Sequence, residues 1–123
     1  MAPEELDHVN AHATSTPEGD SAELQGLATL LGEHAPGVSI SANKSMLGHT
    51  LGAAGAIESI ATILALREGA VPPTINLVDP DQSADGLDLT PGKATRRPIR
   101  AALNNSFGFG GQNAALIFRR WDG

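Results

Sequence analysis

The sequence predicts a layered α/β fold with parallel strands and a closing hairpin. Three observations carry that prediction. Two short strand-like runs, residues 7–12 and 38–41, alternate with two helical stretches in the order strand, helix, strand, helix. Leu24, Leu27, Ala28 and Leu31 recur at i, i+3, i+4, i+7, the spacing of one apolar helix face. Near the C-terminus, residues 101–105 and 114–118 are apolar runs separated by a glycine-rich turn, which predicts a hairpin and so a mixed sheet.

Taken in order, residues 1–6 form a short polar lead into the first strand. Residues 13–20 are small and turn-forming, and Asp20 or Ser21 is placed to cap the following helix, which ends near Gly32. Ala35-Pro36-Gly37 breaks the chain before the second strand. A long helix rich in Ala, Leu and Ile is predicted over 49–67, stopped by Gly69 and the Pro72-Pro73 pair. Residues 74–97 read as a long irregular connection, with turns at 79–81 and 91–92. The run 114–118 carries no polar residue, which predicts a strand buried on both faces.

With 123 residues, the chain suffices for one domain, 1–123, burying about 65% of its unfolded surface. A net charge of −6 argues against a nucleic-acid surface. No apolar run is long enough to span a membrane and no secretory signal is read, so the expected location is cytoplasmic. Cysteine is absent from these residues, which excludes disulfides, thiolate metal sites and a cysteine nucleophile among them. The four histidines lack metal-ligand spacing; His8 and His34 read as surface or boundary residues, and no metal is expected. Lys93, Arg96, Arg97 and Arg100 form a basic cluster, read as a solvated loop face or a contact for an acidic partner. Gly108 and Gly110 resemble part of a dinucleotide fingerprint, but the third glycine and the following helix are missing.

Chemistry concentrates in residues 43–58. His49 at the start of the predicted helix would sit at its positive end, a field that favours neutral imidazole able to donate to a developing oxyanion. Lys44 just upstream would act in the same direction, or else be a solvated loop residue. Gly48, Gly52 and Gly55 would line one side of the first helical turns, where another backbone or a substrate comes close. Glu58 follows His49 by nine positions, about half a turn out of phase, so it cannot share that histidine's face.

Three separated stretches resemble one family, the β-ketoacyl-acyl-carrier-protein synthases, most closely the elongating type II enzymes. Residues 10–20, running Asn-Ala-His-Ala-Thr-Ser-Thr-Pro-Glu-Gly-Asp, are similar to the first histidine motif. Residues 44–55, Lys-Ser-Met-Leu-Gly-His-Thr-Leu-Gly-Ala-Ala-Gly, are similar to the second. Residues 104–113, Asn-Asn-Ser-Phe-Gly-Phe-Gly-Gly-Gln-Asn, resemble the C-terminal glycine-rich loop. Ala13 and Ser15 stand where many relatives carry glycine.

The resemblance implies the C-terminal half of a thiolase-like fold layered α/β/α/β/α, without the N-terminal half that bears the nucleophilic cysteine. It implies an acyltransferase reaction: decarboxylative Claisen condensation of malonyl-carrier-protein with an acyl thioester. By position, His12 and His49 would be the catalytic histidines and Lys44 the active-site lysine. Glu58 would support Lys44, and Asp20 and Glu23 would be the acids behind the first histidine motif. Phe109 would gate the site on a loop whose Gly108, Gly110 and Gly111 permit movement. Without the resemblance, Asp20 reads equally as a helix cap, Glu58 as a solvated or capping carboxylate, and Phe109 as core packing beneath a turn.

No cofactor is expected, because acyl groups would arrive on the phosphopantetheine of acyl carrier protein. The expected partners are that carrier protein, a cysteine-bearing half, and a second copy through self-association, since half of a two-half core exposes apolar surface. The other reading is a non-catalytic partner or orphan fragment, chain-length-factor-like.

Overall fold

The structure is a computed structural model and describes residues 1–121. Strands β1 (His8–Asn10), β2 (Ser39–Ser41), β5 (Ala101–Phe107) and β6 (Asn113–Arg119) form one sheet in the order β2-β1-β5-β6. β1 lies parallel to both β2 and β5, with Val9 opposite Ile40 on one side and Leu103 on the other. β5 and β6 pair antiparallel, Ala101 against Arg119 through Phe107 against Asn113. The mixed sheet and its closing hairpin are those read from the sequence. A second, two-stranded antiparallel sheet joins β3 (Ala70–Val71) to β4 (Thr95–Arg96).

Helix α1 (Pro17–Leu31) covers one face of the main sheet. Its Leu27 and Leu31 pack with Val9, Ala11, Ile40 and Leu103. Because side chains alternate along a strand, the other face carries His8, Asn10, Ala102 and Asn104. There α3 (Ala54–Glu68) brings Ala65 and Leu66 onto Ala102, Val71 and Ile99. Gly69 caps α3 at φ 60°, and a Cβ there would stand 3.1 Å from the Arg97 carbonyl oxygen. Only glycine fits both constraints.

Five expectations are corrected. α1 starts at Pro17 with Thr16 before it, so Asp20 lies within the first turn and caps nothing as an N-cap residue. The long helix starts at Ala54, not at His49. A four-residue helix, α2 (Lys44–Leu47), ends at Gly48 with φ 72°, and Leu51 at φ 52° breaks the path again before α3. The glycine stripe is therefore not one helix face: a Cβ at Gly48 or Gly52 would meet nothing, and only Gly55 is close-packed, 3.3 Å from Ser106 Oγ.

β6 is an exposed edge strand rather than a doubly buried one, because no second layer in these residues covers it. His8 is fully buried, not superficial. Its Nδ1 donates to the Ser39 carbonyl at 2.8 Å, which satisfies one ring nitrogen inside the sheet, while Nε2 has no protein partner. Desolvation pushes its pKa down to about 4. His34 is exposed, 3.4 Å from Glu4.

Candidate active site

His12 follows directly from β1, on a loop with two non-glycine residues in the left-handed region, Ala13 at φ 38° and Ser15 at φ 63°. Such residues cost about 1–3 kcal/mol each unless the surroundings hold them. Here two carboxylates of α1 do so. Glu23 is buried and accepts from the backbone N–H groups of His12 and Ala13, both at 2.9 Å, through different oxygens. The Asn105 side-chain amide donates to the same carboxylate at 3.0 Å, tying β5 to the loop. Asp20 accepts from the Ser15 N–H at 3.1 Å. Burial raises the Asp20 pKa, a shift opposed by the Ser15 hydrogen bond and reinforced by the Glu23 charge.

Lys44, at the start of α2, is buried and extends between two elements. Its Nζ lies 2.6 Å from Glu58 Oε1 on α3, with both side chains at most 5% exposed. It also lies 3.5 Å from His12 Nδ1. An ammonium only donates, so at that distance it holds His12 Nδ1 as an acceptor and leaves the imidazole proton on Nε2. The His12 pKa is lowered, first by desolvation and then by the Lys44 charge. Glu58 thus meets Lys44 rather than His49, which does not lie on the same helix.

His49 is exposed, on the turn between α2 and α3. The Leu51 N–H donates to its Nδ1 at 3.2 Å, which again assigns the ring proton to Nε2. Leu51, at φ 52°, opens the short 3-10 turn 51–53 that leads into α3, so its N–H has no partner within that turn and is available to the imidazole. The two imidazoles stand edge to face with centroids 5.7 Å apart. Phe107, at the end of β5, lies with its ring centroid 5.7 Å from that of His12.

Sequence reasoning did not single out a buried asparagine ladder joining β1, β5 and α3. Asn10 donates to Asn104 at 2.6 Å, and Asn104 donates to Ser59 Oγ at 3.0 Å. The signal was the Asn104-Asn105 pair: adjacent strand residues face opposite ways, so each buried amide needs its own partner. Among the described residues no group of three His, Cys, Asp or Glu side chains is arranged to hold a metal. Phe109 is fully exposed and packs under nothing. In its loop Gly110 and Gly111 take φ 74° and 80°, and a Cβ at Gly108 would come within 3.0 Å of the Gln112 carbonyl. A groove of about 740 Å³ runs behind the His12 loop, bounded by Ala13, Asp20, Leu24 and Val78, but not by the imidazoles, which lie open.

Two imidazoles, each with Nδ1 set as an acceptor, thus stand together beside a buried lysine. The chain belongs to the family described as the beta-ketoacyl synthase, C-terminal domain, whose model matches residues 1–78. It is 47% identical over 98% of its length to 3-oxoacyl-[acyl-carrier-protein] synthase 2 of Coxiella burnetii, covering 29% of that protein. With the enzyme of the same name from Mycobacterium tuberculosis the identity is 51%, again over 98% of this chain and 28% of the relative.

Solved structures agree. A beta-ketoacyl synthase from Burkholderia phymatum superimposes with a TM-score of 0.91 at 40% identity, over 98% of this chain and 29% of that one. A type II PKS acyl-carrier protein in complex with its ketosynthase gives 0.88 at 38%, over 99% and 30%. An ishigamide ketosynthase/chain length factor gives 0.91 at 38%, over 98% and 29%. The fold is therefore that of the thiolase-like ketosynthases, and the chain spans less than a third of the length of these relatives.

Proposed function

We propose that this chain is the C-terminal part of a β-ketoacyl-acyl-carrier-protein synthase, supplying two histidines and a lysine to a decarboxylative condensation. The observation that carries the proposal is that Lys44 and the Leu51 N–H occupy Nδ1 of His12 and His49, leaving two Nε2–H donors on neighbouring rings. A malonyl thioester carbonyl oxygen received by both donors would gain charge as the bond to the carboxylate breaks and CO₂ departs. The electron pair from that bond forms an enolate, and the two N–H groups stabilise its oxygen. Its carbon then attacks an acyl thioester on a cysteine from the other half, forming the new carbon–carbon bond and expelling thiolate.

In this scheme Lys44 and Glu58 are positioning residues that fix the His12 tautomer. Glu23 and Asp20 hold the His12 loop, and Phe109 gates access on its glycine loop. Acyl groups would be delivered by acyl carrier protein, with no cofactor resident in the chain. A cytoplasmic setting goes with this scheme, and no helix among the described residues is long and apolar enough to cross a membrane.

The test is malonyl-carrier-protein decarboxylation and condensation, run with and without a separately expressed cysteine-bearing half. Activity is expected only in the mixture, falling about 100-fold or more for His12→Ala or His49→Ala. A folded complex that never condenses would favour the non-catalytic, chain-length-factor-like reading.

A further inference from the structure

His12 stands just past the point where its chain leaves the sheet. The last sheet bond before it runs from the Ala11 N–H to the Ser41 carbonyl, 2.9 Å. Beyond that point Glu23 takes over, accepting from the N–H groups of His12 and Ala13. Those two bonds fix the carboxylate to the loop, but both partners belong to the loop. By themselves they would let carboxylate and loop shift together, because the Glu23 side chain turns about three bonds.

Asn105 ties that unit to the sheet. Its side-chain amide donates at 3.0 Å to Glu23 Oε1, the same oxygen that accepts from the His12 N–H at 2.9 Å. Asn105 is buried within β5 and lies opposite Ala115 in the β5–β6 ladder, so the strand holds its backbone. Neighbouring Asn104 points to the other face, where it bonds Asn10 and Ser59. Two residues beyond Asn105, on the same face, Phe107 brings its ring centroid 5.7 Å from that of His12. β5 therefore meets His12 twice, at the backbone through one carboxylate oxygen and at the ring.

We propose that Asn105 is a positioning residue for His12: acting through Glu23, it fixes the His12 backbone relative to β5 and so sets where the His12 Nε2–H points. The inference rests on the reading of His12 as an oxyanion donor. It gives the strand that ends in the glycine-rich loop a part in aligning the first histidine, beyond carrying Phe109. A buried amide needs a partner, and any acceptor would satisfy that need. This one spends its donor on the oxygen already engaged with the His12 N–H. Without that donor the carboxylate keeps its bonds to the loop and loses its bond to the sheet, and the loop can drift with it.

The experiment compares Asn105→Ala, Asn105→Val and Asn104→Ala in the full chain, by NMR of the backbone amides and histidine rings. Each is then mixed with the cysteine-bearing half and assayed for malonyl-carrier-protein decarboxylation. Asn105→Val removes the donor while filling the space with a residue suited to a strand, so it serves if the alanine variant fails to fold. In both Asn105 variants the His12 amide should exchange about 10-fold faster or more, while His49 Nδ1 keeps its bond from the Leu51 N–H. Asn104→Ala, also buried but on the opposite face, should leave the His12 amide as it is. In the mixture, kcat should fall about 10-fold or more with KM within about twofold, the pattern of a donor retained but mis-aimed. A His12 amide unchanged by both Asn105 variants, or altered as much by Asn104→Ala, overturns the proposal. So does an undiminished kcat where His12→Ala abolishes decarboxylation. If His12→Ala itself leaves decarboxylation intact, the catalytic reading fails, and the amide measurement alone decides whether Asn105 holds His12.

Discussion

Replacing Glu23 by Gln should unfasten the His12 loop while barely changing side-chain volume. The carboxylate accepts three hydrogen bonds, from the His12 and Ala13 N–H groups and the Asn105 amide. The amide of Gln keeps one acceptor oxygen and turns an NH₂ toward donors. One or two buried donors then lose their acceptor, at about 1–3 kcal/mol each, so the substitution should cost about 2–4 kcal/mol. Relaxation of the strained backbone at Ala13 would return part of that cost. Urea unfolding followed by far-ultraviolet circular dichroism measures the total, and amide hydrogen exchange locates it. Protection should fall at His12 and Ala13 first. A loss below about 1 kcal/mol, with His12 and Ala13 still protected, would show that the loop holds its shape without the carboxylate.

Other consequences follow from the same geometry. Lys44→Met leaves Glu58 buried without its counter-charge, and Glu58 Oε2 already lacks a partner, so a loss of about 3–5 kcal/mol is expected in the same unfolding assay. Ser15→Gly should stabilise the chain by about 1 kcal/mol, because Ser15 is exposed at φ 63° where glycine is unstrained; a destabilised variant would mean the hydroxyl has a role. His8, with its pKa lowered to about 4, binds its proton more readily in the unfolded chain. Its neutral form therefore stabilises the fold fully above pH about 6.5, and that contribution is lost as pH falls toward 4, amounting to about 3 kcal/mol. His8→Gln should flatten the stability profile in that window, and an unchanged slope would assign acid lability elsewhere.

Much of the fold was legible because it follows from local rules. Alternating strand and helix signals gave parallel β1 and β2, and the glycine-rich turn gave the β5–β6 hairpin. Glu58 does pair with Lys44, but the helical-phase argument that set it apart from His49 does not apply, because His49 lies outside α3. What escaped depends on distant residues or on surface these residues leave uncovered. His8 looked superficial because imidazole is polar, yet a carbonyl of the neighbouring strand takes its proton inside the sheet. The run 114–118 looked buried because it is apolar, yet β6 is an edge. The bonds Glu23 makes to His12 and Ala13 span eleven and ten residues, and Asn105 reaches it from 82 residues away, distances over which periodicity says nothing. His49 depends on one backbone N–H at Leu51, a residue whose side chain gives no hint of the role.

The most direct test of the site is nitrogen-15 NMR of the histidine rings at neutral pH. His12 and His49 should both carry the proton on Nε2 and show a bare, hydrogen-bonded Nδ1, as Lys44 and the Leu51 N–H require. His8 supplies an internal contrast, with its proton on Nδ1 directed at Ser39. Finding His12 or His49 protonated on Nδ1 would remove one of the two donors that the proposed condensation needs, and the account of this site would fail with it.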